Sequence, residues 1–170
     1  MSNTQLRGHC PCCARVHAVT PSGLAAHGYT IKNGWFQGAC PGGGLPPIET
    51  CRVKADAIVK MLGELAEDAL AQAAALRTGR VTPVTCGTGN TVVSERGRLE
   101  PVRVLWAEAT PYQRQREVEH QVIGLSQRAR RAATDREHLA ALIQQVHGHP
   151  LIEVDRPPKP EPIQRGEPAG

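Results

Sequence analysis

The chain has 170 residues, room for one domain of ordinary size or a small domain with appendages. Leu, Ile, Val and Phe total 35, and one Phe, two Trp and two Tyr exclude a large aromatic core. The formal net charge is +4, and no segment concentrates the positive field of a dedicated DNA-binding domain.

The chain opens MSNTQLRGH, without an apolar run behind a basic start, so a secretory signal is not expected. No apolar run reaches the roughly 18 residues of a membrane span. The expected compartment is therefore a reducing cytoplasm, where six Cys favour metal binding over disulfides.

Residues 1–50 hold four of the six Cys and many Gly and Pro, with apolar residues scattered among them. Such a stretch needs a staple other than a core. Residues 50–78 read as a helix, with Thr50 as N-cap and Gly79 as stop. Its seam runs Cys51, Ala55, Ile58, Leu62, Leu65, Ala69, Gln72, Leu76, the four-three spacing of a packed helix pair.

Residues 80–106 change period. Short β-branched runs, punctuated by Gly87, Gly89, Asn90 and Gly97, predict strands with a hairpin turn near Glu95–Arg98 and Trp106 over the inner face. A second helix is predicted over 111–147, with Thr110 as cap and Pro111 in the first turn. Its seam is Val118, Val122, Leu125, Ala129, Ala132, Arg136, Leu139, Ile143 and Val146, antiparallel to the first helix. Residues 148–170, with five Pro in the last 14, read as a disordered tail. The predicted fold class is α+β and mainly α: an N-terminal finger over 1–50, a long helix pair over 51–147 with a β insert, and the tail.

The chemistry concentrates in Cys10-Pro-Cys-Cys13, His27 and Cys40-Pro-Gly-Gly. A Cys-x-x-Cys turn aims two thiolates at one ion, and Zn²⁺ takes four such ligands in a tetrahedron. Cys40 adds a third ligand from a second tight turn, and His27 is the best fourth. Cys12, His9, His17 and Cys51 compete for the remaining place. The first 51 residues contain a single carboxylate, Glu49, so the predicted site is closed and structural, one zinc per chain.

The run CxxCxR…HGYxxxxGWFxGxCPG, followed by PPIE and a long helix, resembles a group of small zinc-finger-like proteins encoded by bacteriophages and prophages. The likeness covers roughly residues 9–50. It implies Cys10, Cys13, His27 and Cys40 as the ligand set. The chain departs from the group at Cys12, which varies, and at Ala14, where Gly is usual. The resemblance implies a module and a source, and no reaction.

Weaker signals complete the reading. Gly87-Thr-Gly-Asn90 lacks the Lys and long helix of a phosphate loop and reads as turn residues. Cys86 reads as a buried thiol. Trp35 and Phe36, and Arg128 and Arg131 on the second helix, are the candidate partner-binding residues. No paired carboxylates, serine triad or open metal site can be assembled, so an enzyme is not expected. The expected function is a zinc-binding interaction protein with a protein partner, self-associating through its helices or not. The competing reading is a nucleic-acid-binding regulator using the finger and Arg128 with Arg131.

Overall fold

A computed structural model describes residues 4–30 and 36–155. The fold is an α+β arrangement dominated by two long helices. The chain divides into two units, residues 1–54 with 143–170, and residues 55–142.

In the first unit, β1 (Thr4–His9) pairs antiparallel with β2 (Val16–Thr20), and β2 pairs with β3 (Gly23–Leu24). A second hairpin joins β4 (Gly28–Thr30) to β5 (Phe36–Ala39). Leu24 is buried, and around it lie Cys10, Cys40 and Val19. This core is too small to carry the region alone, in keeping with its composition.

The strand at the other edge corrects the reading of the tail. Instead of running free from residue 148, the chain forms β8 (Ile152–Asp155), which pairs antiparallel with β1, Thr4 opposite Asp155 and Arg7 opposite Ile152. The four-stranded order is β3-β2-β1-β8. Ile152 and Val154 alternate as a strand requires, but flanking prolines mask the signal. Residues 156–170 lie outside the described residues.

α1 (Val53–Arg77) begins later than the sequence predicts. Thr50 sits in a preceding turn, its hydroxyl donating to the Pro47 carbonyl. Helix α1 ends at Arg77, two residues before Gly79, whose φ is +69°. Cys51 therefore lies ahead of the helix and not on its seam.

The second unit begins within α1. β6 (Thr85–Val93) and β7 (Leu99–Leu105) form a two-stranded hairpin. Its turn lies over 94–98 as predicted, closed by the Ser94 N–H donating to the Arg98 carbonyl at 2.7 Å. Gly87, Gly89 and Asn90 do not interrupt the first strand as expected. They sit inside β6, where the register shifts between Gly87 and Thr91.

α2 (Pro111–Val146) opens on a reciprocal cap. The Gln113 N–H donates to Thr110 Oγ1 at 3.3 Å, and the Thr110 N–H donates to Gln113 Oε1 at 2.9 Å. Ala73 and Leu76 of α1 pack with Val118, Val122 and Leu125 of α2. Farther along, Gly63 faces the Arg136 guanidinium. The two contacts together fix an antiparallel pairing.

Of the predicted α2 seam, Val122, Ala129, Ala132, Leu139 and Ile143 are buried, Val118, Leu125 and Val146 are half-buried, and Arg136 is exposed. On α1 Ala55, Ala69 and Leu76 are buried as predicted, and the prediction fails at two places. Leu65 is 41 % exposed and Gln72 is exposed, while Ala66 and Ala73 take the inward places. Small residues on both helices, among them Gly63, Ala69 and Ala73 on α1, let the backbones approach. Gly124 is a different case. In mid-helix it costs about 1 kcal/mol relative to Ala, and a Cβ there would meet nothing within 4 Å.

A buried carboxylate fixes the base of the hairpin on α2. Glu117 accepts from Arg103 Nη2 at 2.8 Å, from Gln121 Nε2 at 2.9 Å and from the Gly87 N–H at 3.2 Å. Burial opposes its ionisation, but these donors together outweigh burial and hold the carboxyl below its ordinary range. Arg114 is half-buried: it donates to the carbonyls of Trp106 and Ala107 and lies 5.6 Å over the Trp106 ring. Cys86 is fully buried, as read from sequence.

Candidate metal centre

Two hairpins build the centre. The first is β1–β2, whose connecting turn carries Cys10 and Cys13. The Cys10 carbonyl accepts from the Ala14 N–H at 2.9 Å, and the Cys10 N–H donates to the Arg15 carbonyl at 2.9 Å. To close this turn Ala14 takes φ 58°, in the left-handed region. The second hairpin is β4–β5. His27 directly precedes β4 and Cys40 directly follows β5, so the Gly28–Ala39 pairing sets them side by side. The Cys40 N–H donates to the His27 carbonyl at 2.7 Å.

The ligand atoms of Cys10, Cys13, His27 and Cys40 all lie within 4.8 Å of one another and could hold a metal ion. Cys10 Sγ and Cys40 Sγ are 3.8 Å apart, and Cys13 Sγ and His27 Nε2 are 3.6 Å apart. Both cysteine turns direct a backbone donor at sulfur: the Cys12 N–H at Cys10 Sγ, 3.4 Å, and the Gly42 N–H at Cys40 Sγ, 3.5 Å. Such donors favour thiolate over thiol. Gly42 also has no alternative, because a Cβ there would collide with Cys10 Sγ.

His27 is held for ligation through Nε2. Its Nδ1 lies 2.8 Å from the Ala25 carbonyl, the outer hydrogen bond that orients a metal-binding imidazole. Burial pushes the Cys13 thiol up to about 12, with the Arg15 backbone opposing the rise and Cys10 and Cys40 adding to it. Burial likewise raises Cys12, again with Cys10 and Cys40 adding.

The competitors for the fourth place fall differently. His9 is engaged elsewhere: its Nδ1 is 2.6 Å from Glu49 Oε1, and its N–H donates to the same carboxylate. Glu49 is buried by this pairing. Cys51 is half-buried and does not join the four. His17 is close. Its ring stacks on that of His27 with centroids 3.5 Å apart, and its Nε2 is 3.5 Å from Cys13 Sγ. Burial, and then the neighbouring His27, Arg15 and Arg7, lower the His17 pKa and favour its neutral form.

The sequence reading missed the His9–Glu49 pair, whose members lie 40 residues apart and carry no local motif. Of the candidate partner residues, Arg128 and Arg131 are exposed on α2. Trp35 lies outside the described residues, and Phe36 is described only through its backbone in β5. Among the described residues no helix is long and apolar enough to cross a membrane. No protein-family model, curated protein or solved structure matches this chain.

Proposed function

We propose that the chain is a zinc-stapled, non-enzymatic interaction protein whose partner is another protein. Three sulfurs and one imidazole suit Zn²⁺, and its usual bonds of about 2.3 Å to sulfur and about 2.0 Å to nitrogen make tetrahedral edges of roughly 3.6–3.8 Å. The 3.8 Å and 3.6 Å separations in the centre match those edges. Four protein ligands would leave zinc no open position, and Glu49, the nearby carboxylate, is already occupied by His9. Both points favour a structural ion over a catalytic one. The likeness of residues 9–50 to phage-encoded finger proteins supports the same reading.

The observation that carries the partner is the hairpin β6–β7. Away from its anchored base it presents Val92, Val93 and Leu99, with Val93 68 % and Leu99 72 % exposed, on a sheet of two strands only. Exposed apolar residues beside unpaired strand edges suit a protein surface. The exposed Arg128, Arg130 and Arg131 support the nucleic-acid reading less well, because Glu117, Glu119, Asp135 and Glu137 share the helix.

The test is affinity capture from bacterial lysate with nuclease present, using the wild type and a Val93→Lys, Leu99→Lys variant as baits. A protein captured by the wild type and lost with the variant supports the reading. Equal capture by both overturns the hairpin. A companion gel-shift series with duplex and single-stranded DNA at about 0.15 M salt addresses the alternative. Tight binding there, abolished by Arg128→Glu with Arg131→Glu, would promote the regulator. Elemental analysis should find one zinc per chain.

A further inference from the structure

A cleft of about 400 Å³ opens in the helical unit beside the C-terminal end of α1. Leu76, Pro83 and Leu125 give it an apolar floor, and α2 lays His120, Gly124 and Arg128 along one side. The spacing of four and four sets those three residues on one line of the helix, about 12 Å from end to end.

Three observations point to a ligand. First, Gly124 is a poor helix former in the middle of a 36-residue helix, and its chain gives no reason for it, since a Cβ would meet nothing within 4 Å. Gly63 on α1 is the contrast, being buried where an added Cβ would lie 3.6 Å from the Arg136 guanidinium. Second, Arg128 and His120 make no hydrogen bond or ion pair among the described residues. Third, no carboxylate lines the cleft, so the one formal charge at its wall is uncompensated.

We propose that this cleft binds a small amphipathic carboxylate. Its apolar body lies on Leu76, Pro83 and Leu125, against the bare backbone of Gly124, and its carboxylate meets the Arg128 guanidinium. The cleft volume is in the range of small-molecule sites, which combine an apolar lining with a few polar groups. The planar guanidinium matches a carboxylate with two parallel hydrogen bonds, and a single Arg suits a monoanion. A missing side chain at Gly124 lets the ligand reach the helix surface, which any larger residue would cover.

The test is isothermal titration calorimetry of the full-length chain with sodium decanoate, and with decanol as the uncharged counterpart. Wild type should bind decanoate saturably, one per chain. Arg128→Gln should weaken binding roughly tenfold or more. Gly124→Leu should fill the cleft and weaken it at least as much. Gly124→Ala, the better helix former, repeats the cleft test should the Leu variant misfold. Saturable binding weakened in both the Arg128 and the Gly124 variants supports the proposal. It is overturned by absence of saturation, by either variant keeping wild-type affinity, or by decanol binding as tightly as decanoate.

Discussion

Ala14 closes the first cysteine turn at φ 58°, a conformation that an L-residue with a Cβ adopts at a cost of about 1–2 kcal/mol. The finger keeps it because the Cys10 carbonyl needs the Ala14 N–H there. Ala14→Gly should therefore stabilise the metal-loaded protein, by about 1 kcal/mol once the greater freedom of unfolded Gly is subtracted. Urea denaturation of both proteins at matched zinc concentration measures it, and a destabilised Gly variant would contradict the strain argument. Gly42 is the opposite case. Gly42→Ala drives a methyl into Cys10 Sγ, so elemental analysis should find the zinc lost or much reduced. The ligands were legible in the sequence because each cysteine turn is a local object, spelled by spacing, Pro and Gly. His17 shows the limit of that signal. It stands as near to Cys13 as His27 does, and what distinguishes His27 is its hydrogen bond to Ala25 and its place opposite Cys40.

The helix seams divide in the same way. On α2 the apolar residues are large enough to declare their row, and the reading from sequence matches the buried set from Val122 to Ile143. On α1 the predicted row holds at Ala55, Ala69 and Leu76 and fails at Leu65, which hydropathy alone would turn inward. Packing favours the alanines because short side chains permit close approach, so Leu65 turns outward. Leu65→Ala should then cost less than about 0.5 kcal/mol, whereas Leu76→Ala should cost about 2–5 kcal/mol; thermal denaturation distinguishes them. Strand β1 was not legible for a related reason. TQLRGH has a single large apolar residue, and β1 is defined by partners on both sides, one of them near the end of the chain.

The Glu117 network supplies a pH test at the same scale. Its carboxyl is depressed on folding, so its contribution is complete above the unfolded value and disappears as pH falls through the folded value. Stability of the hairpin base should decline on acidification below the ordinary carboxylate range, and Glu117→Gln should remove that part of the dependence. Glu117→Ala should cost about 1–3 kcal/mol by leaving the Gly87 N–H unsatisfied. Unfolding of both variants across acid pH checks this, and a wild-type dependence in Glu117→Gln would assign the effect to another group.

At the scale of the whole molecule, all four candidate ligands belong to one of the two units, while residues 55–142 contain none of them. In the first unit the described core cluster holds Leu24, Val19 and four cysteines, which are candidate ligands or neighbours of them. On the proposed reading this unit's folding free energy would come largely from a bound zinc, since structural zinc supplies about 10–16 kcal/mol of apparent binding energy. The second unit holds a helix seam, a capped α2 and the Glu117 network, none of which involves a metal ligand. Chelation should therefore act on one unit and spare the other. With excess chelator, amides of β1 and β2 should lose protection from hydrogen exchange, while those of α1 and α2 between residues 63 and 139 keep theirs and the far-UV helical signal persists. Zinc should restore the strand protection, and Cys40→Ala should reproduce the chelated state without chelator. Loss of helix protection along with the strands would show that the ion supports the whole chain. Strand protection that survives chelation would show that β1, β2 and β8 hold the finger without it.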